Sequence, residues 1–173
     1  MSDVTTTAAP PLRHETTAGN YFVANYPPFA FWKPEFVPEF EAALERPPIT
    51  HHAARIAPLG LYTHIPFCRK RCHFCYFKVY TDKDSSEVRC YLDALLAELA
   101  VYAGKPAISG RKPKFVYFGG GTPSYLSPDQ LKFLTDGMKR LLPWDEVEEV
   151  TFEAEPGTLT DHKLKAIREF GVT

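Results

Sequence analysis

No apolar run in these 173 residues approaches the roughly 18 needed to cross a bilayer, which removes membrane-spanning roles. The opening stretch, residues 1–17, lacks the basic start and apolar core of a secretory leader. Charge of either sign is missing in excess: 20 Lys and Arg face 21 Asp and Glu, a net charge of −1. Such a balance gives no reason to expect a nucleic-acid or anionic-membrane partner. Cysteine is scarce, with four in all, and three of them fall within eight residues, unlike a secreted disulfide framework. What is present, 45% apolar and 24% charged residues, describes a soluble cytoplasmic globular protein of about one domain.

Residues 1–20 are rich in Thr, Ala and Pro and are expected to be a disordered tail. Residues 21–58 read as an extended aromatic and proline-rich arm followed by a linker. In it Tyr21, Phe22, Tyr26, Phe29, Phe31, Trp32, Phe36 and Phe40 interleave with Pro27, Pro28, Pro34 and Pro38. The prolines argue against regular helix, and the aromatics carry too much apolar area to be left in water. The arm is expected to dock on the domain surface, or alternatively to wall part of a substrate pocket.

From residue 59 strand and helix patterns alternate. Leu61–Ile65 is expected to be a strand, and 85–102 a helix capped by Asp84 with Glu87 three residues on. That helix should bury Val88, Tyr91, Leu92, Leu95, Leu99 and Tyr102. Cys90 within it is expected to be a small buried apolar residue. Lys114–Phe118 reads as a second strand, and Ser127, Pro128 and Gln130 open a second helix with the stripe Leu131, Leu134, Met138 and Leu141. A third strand over Glu149–Ala154 precedes a helix capped by Thr160, burying Leu164 and Ile167 and ending at Gly171. The fold class is α/β, a parallel sheet with crossover helices. Three strands leave an open edge and much apolar surface, so the expectation is a truncated half of a larger domain.

Three features carry chemistry. Cys68, Cys72 and Cys75 share one loop directly after the first strand, a spacing at which three thiolates hold three irons of a cubane cluster and leave the fourth iron open. The competing reading is a zinc site completed by His64 or His73. Between the first two cysteines lie Arg69, Lys70 and Arg71, a solvated loop face or a counter-charge that docks an acidic electron donor. Gly119–Gly121 follow the second strand at the carboxyl edge of the sheet, where α/β folds place ligands and glycine lets backbone groups come close. Glu153, near the carboxyl end of the third strand, is expected to point the same way as Glu155 and suits a ribose diol or an amine.

Tyr62-Thr63-His64-Ile65-Pro66-Phe67-Cys68 with Cys72 and Cys75, then Gly119-Gly120-Gly121-Thr122-Pro123-Ser124, then Phe152-Glu153-Ala154-Glu155-Pro156, resemble the radical S-adenosylmethionine enzymes. Within them the match is to the oxygen-independent coproporphyrinogen III oxidase-like group, over residues 59–173. The resemblance implies the N-terminal half of a partial (β/α) barrel, with Cys68, Cys72 and Cys75 on a 4Fe–4S cluster whose open iron chelates S-adenosylmethionine. Tyr62, Gly120 and Glu153 fall where the family contacts that cofactor. Phe74, Gly121 and Thr122 fall where the oxidase contacts a second molecule of it. It further implies reductive cleavage to a 5′-deoxyadenosyl radical, a tetrapyrrole substrate and an electron donor such as flavodoxin or ferredoxin. No residue beyond the cluster ligands is assignable as catalytic. The oxidase has a further cysteine two positions after its third cluster ligand, where this chain has Phe77. That departure resembles haem-trafficking proteins, methyltransferases and cyclopropane-forming relatives, and an inactive fragment is a further alternative.

Overall fold

The computed structural model describes residues 32–48, 50–51, 55–75 and 77–173. The chain divides into two compact units, residues 1–41 and 42–173. In the first, a 3-10 turn over Pro34–Phe36 leads into α1 (Val37–Leu44), which runs on into the second. This corrects the expectation of an extended arm for residues 34–44. Pro34 and Pro38 sit in the first turns of these segments, where the missing N–H has no intrahelical acceptor to lose. The rest of the aromatic arm, residues 21–31, lies outside the described residues.

Within the linker, β1 (Thr50–His51) and β2 (Arg55–Ile56) form a short antiparallel pair. The main sheet follows, with β3 (Leu59–Ile65), β4 (Pro113–Gly120) and β5 (Glu149–Phe152) in the order β3-β4-β5 and all parallel. Two helices make the crossovers, α2 (Ser85–Ala103) and α3 (Pro128–Leu141), and α4 (Asp161–Glu169) follows β5. Both expected capping boxes form: Asp84 with Glu87, and Ser127 with Gln130. Each satisfies N–H groups that the first turn leaves without partners.

The alternation of β3 and β4 sorts the sheet into two unlike faces. Thr63, Ile65, Val116, Phe118 and Val150 are buried beneath the helices with Val88, Leu92, Leu131, Leu134 and Met138. Phe118 lies at the centre, its ring 5.6 Å from Phe152 and 5.7 Å from Phe170. The opposite face shows Tyr62, His64, Phe115 and Tyr117, with Tyr62 57% exposed. No helix among the described residues is long and apolar enough to cross a membrane.

Two burial expectations are corrected. Cys90 is exposed, because Val88, Leu92 and Leu99 hold the inner face of α2 and position 90 falls on the far side of the turn. On α4 the buried positions are Lys163, Ile167 and then Phe170, an i, i+4, i+7 row, so Leu164 lies one step round and is 48% exposed. Denaturant unfolding of two variants checks this assignment: Leu134→Ala should cost about 2–5 kcal/mol and Leu164→Ala no more than about 0.5 kcal/mol. Equal losses would place Leu164 in the core.

Candidate functional site

The three loops at the carboxyl edge of the sheet are drawn together by backbone hydrogen bonds. Pairing of β3 with β4 continues to Ile65↔Gly120, two residues further along β4 than the sequence pattern suggested. Past that point Gly121 N–H donates to the Ile65 carbonyl at 2.8 Å and Thr122 N–H to the Phe67 carbonyl at 2.9 Å. The glycine turn therefore extends the sheet into the start of the cysteine loop. The far end of that loop is anchored where Cys68 N–H donates to the Tyr80 carbonyl (3.0 Å) and Tyr80 N–H to the Pro66 carbonyl (2.8 Å).

Cys68 is buried at the root of the loop, Cys75 is half-buried and Cys72 is exposed; all three are free thiols. Thr122 Oγ1–H donates to Cys68 Sγ at 3.3 Å, tying the glycine turn to the root of the cysteine loop. The side chains of Arg69 and Arg71 brace the loop: Arg69 donates to the Gly157 carbonyl at 3.1 Å and Arg71 to the Cys75 carbonyl at 2.9 Å. Among the described residues no three Cys, His, Asp or Glu side chains are gathered as a metal site. The donor set still fits an iron–sulfur cluster, with three free thiols in one braced loop and a hydroxyl donor on the innermost sulfur.

Two glycines of the turn have specific spatial reasons. Gly121 lies against the root of the cysteine loop, where a Cβ would stand 2.9 Å from Cys68 Sγ and 3.0 Å from the Phe67 carbonyl oxygen. Gly120 has φ +113°, and a Cβ there would fall 2.7 Å from the His64 ring. The absence of side chains thus also serves close approach to Cys68 and His64, beside the tight turn or ligand approach that the sequence pattern suggests.

Glu153 follows directly after β5, which ends at Phe152, so strand alternation does not carry to Glu155 as expected. Its backbone N–H still donates to the Phe118 carbonyl at 3.0 Å. Its carboxylate accepts from Gly120 N–H at 3.2 Å and from the Tyr117 hydroxyl at 2.6 Å. The Tyr117 ring stacks on Tyr62 with centroids 5.9 Å apart, and the Tyr62 hydroxyl lies 3.1 Å from His64 Nδ1. Tyr62, Gly120 and Glu153 are therefore brought together. Gly121 and Thr122 face Cys68, whereas Phe74, 76% exposed, packs against His73.

The electrostatics follow from this arrangement. The hydrogen bond to Glu153, then burial and the carboxylate charge, push the Tyr117 phenol up to about 12. Burial, followed by the Glu153 charge, raises Tyr62. Burial lowers His64 against an opposing pull from Glu153, favouring the neutral imidazole. Deeper in, Lys163 donates to the Ser124 carbonyl at 2.5 Å, and Ser124 Oγ contacts Thr158 Oγ1 and accepts from Glu155 N–H. This knot joins the glycine turn, the turn after β5 and α4. Burial and then Arg69 lower the Lys163 amine.

Sequence reading missed Tyr117 and the Lys163 knot, and considered His64 only as a zinc ligand. Tyr117 shares the Tyr62 face only once the register Tyr62↔Tyr117 is known. Lys163 is drawn inward only by the Ser124 carbonyl of another turn, which no local pattern marks.

The Radical SAM superfamily profile matches residues 62–173. The heme chaperone HemW of Bacillus subtilis is 41% identical over 115 residues, covering 64% of this chain and 29% of the relative. The oxygen-independent coproporphyrinogen III oxidase of Synechocystis is 32% identical over 149 residues, covering 85% of this chain and 30% of the relative. Among solved structures, the coproporphyrinogen III oxidase (HemN) of Escherichia coli, described as a radical SAM enzyme, superposes with a TM-score of 0.72 at 29% identity. That superposition covers 90% of this chain and 34% of the other. The chain thus spans about a third or less of the length of these relatives.

The Tyr117–Glu153 contact is directly measurable by NMR titration of ring-labelled tyrosine. Tyr117 should titrate near pH 12, and Glu153→Ala should bring it back toward 10. A Tyr117 that titrates near 10 in the unaltered chain would contradict the contact.

Proposed function

We propose that this chain, which belongs to the radical SAM superfamily, carries the part of such an enzyme that binds the cluster and S-adenosylmethionine. The observation that supports this most is the convergence at one sheet edge of the free-thiol loop, the Gly120 turn and the Glu153 carboxylate. Membership implies a 4Fe–4S cluster and S-adenosylmethionine in general terms; on this chain Cys68, Cys72 and Cys75 would hold the cluster. When bound, these groups supply reductive cleavage of the carbon–sulfur bond, giving methionine and a 5′-deoxyadenosyl radical that takes a hydrogen atom from substrate.

The chain's own residues bind and orient. Glu153 offers carboxylate oxygens to a ribose diol or an amine, and Gly120, which has no Cβ to meet the His64 ring, lets its backbone N–H reach that carboxylate. The stacked Tyr62–Tyr117 pair forms an apolar floor beside that carboxylate, suited to the flat parts of a nucleoside. Thr122 and Gly121 serve Cys68, so this reading needs one S-adenosylmethionine and leaves Phe74 outside it. Exposed free thiols and a loop of this kind suit the reducing cytoplasm.

Within the superfamily we read the chain as oxygen-independent coproporphyrinogen III oxidase-like, with a tetrapyrrole substrate and a small electron-transfer protein as reductant. Relatives bearing the oxidase name and the extent of the Synechocystis match support that reading. A haem chaperone is the second reading. It is favoured by the 41% identity to a HemW protein and by Phe77, which packs against His64 with centroids 6.4 Å apart at the position of the oxidase's extra cysteine.

Anaerobic reconstitution of the chain tests the common part. Iron and sulfide should each reach about four per chain, and Cys68→Ser, Cys72→Ser and Cys75→Ser should each lose most of both. Zinc without iron or sulfide would overturn the cluster. After dithionite reduction, 5′-deoxyadenosine formation that rises with coproporphyrinogen III supports the oxidase reading. Saturable haem binding without substrate-coupled 5′-deoxyadenosine supports the chaperone.

A further inference from the structure

Glu153 has left β5, is exposed, and stands on a flexible side chain. A carboxylate in that position would ordinarily sample several rotamers in water, and fixing it costs entropy. Two donors fix it, and they are unequal. The Gly120 N–H contact to Oε2 is long, at 3.2 Å, while the Tyr117 hydroxyl reaches Oε1 at 2.6 Å, the length of a charge-assisted bond.

Tyr117 is itself held firmly. It sits on β4, the central strand, paired with Tyr62 on one side and Thr151 on the other. Its ring stacks on Tyr62 at 5.9 Å and tilts against Phe115 at 6.1 Å. The phenol therefore has a fixed direction, set by a strand paired on both sides. The bond also occupies only one carboxylate oxygen strongly, leaving Oε2 beside the Gly120 turn with lone pairs for an incoming donor.

We propose that Tyr117 is a positioning residue. Its hydroxyl clamps Glu153 Oε1 so that the carboxylate faces the Gly120 turn, and this preorganisation sets the affinity for the nucleoside or amino end of S-adenosylmethionine. The inference rests on the assignment of Tyr62, Gly120 and Glu153 as the cofactor berth. The high phenol pKa agrees with it, since a tyrosine that donates to a carboxylate keeps its proton far into base.

The test is anaerobic calorimetric titration of S-adenosylmethionine into the reconstituted full chain, using the unaltered protein, Tyr117→Phe, Glu153→Ala and the double variant. Phenylalanine keeps the stack on Tyr62 and removes only the donor, and iron content and melting temperature report on folding. Tyr117→Phe should weaken binding about fivefold, the worth of one net hydrogen bond, and Glu153→Ala about tenfold or more. In the Glu153→Ala background, Tyr117→Phe should change affinity less than about twofold, because the group it positions is gone. Unchanged affinity in Tyr117→Phe, or the same loss in both backgrounds, overturns the positioning role while leaving the berth intact. Full affinity in Glu153→Ala, or no saturable binding to the unaltered chain, overturns the berth and the inference with it.

Discussion

The parallel pairing of β3 with β4, carried without interruption from Gly60↔Phe115 to Ile65↔Gly120, is the constraint on which the site depends. It brings the two strand ends level, so the chain leaving β3 and the chain leaving β4 emerge side by side. Gly121 and Thr122 then continue the ladder onto Ile65 and Phe67, which plants the glycine turn at the root of the cysteine loop. A one-residue slip of β3 on β4 would turn Tyr62 and His64 toward the helices, away from Tyr117, and bring Thr63 and Ile65 to the open face. Burial of Phe118, Ile65 and Val116 holds the register, and the register positions the site.

Around that ladder the turns are joined by different chemistries. Thr122 reaches Cys68 through a hydroxyl–thiol contact, Arg69 ties the cysteine loop to Gly157, and Lys163 gathers Ser124 through its carbonyl. The arginine pair that looked like a solvated or partner-facing charge run is thus also structural: both guanidinium groups, though exposed, brace backbone carbonyls. The positive charge of the loop and its shape come from the same residues. On the open face the pattern differs, because Glu153 is held by donors from the central strand and its turn.

Much of this was legible in the sequence, for identifiable reasons. Capping residues act within three positions, so Asp84–Glu87 and Ser127–Gln130 could be read directly, and the cysteine spacing is a local signal. Features that depend on register or on a neighbouring element were not legible. Tyr117 becomes a partner of Tyr62 and Glu153 only after strands distant in sequence align. Lys163 is drawn inward by the Ser124 carbonyl from another turn, displacing Leu164 from the inner face. Cys90 looked buried because cysteine usually is, yet its angle on α2 faces solvent. Pro34 and Pro38 were read as helix breakers when they are helix starters, a distinction that turns on knowing where the first turn begins.

On the proposed reading the cysteine loop and the Gly120–Glu153 edge form one berth, in which S-adenosylmethionine would meet an iron that no cysteine holds. Electron paramagnetic resonance of the reduced, reconstituted chain tests it most directly. Saturating S-adenosylmethionine should change the spectrum of the cluster, because the ligand binds the iron that no cysteine occupies. A cluster signal that is fully formed yet identical with and without saturating S-adenosylmethionine would mean that the two edges do not form one berth.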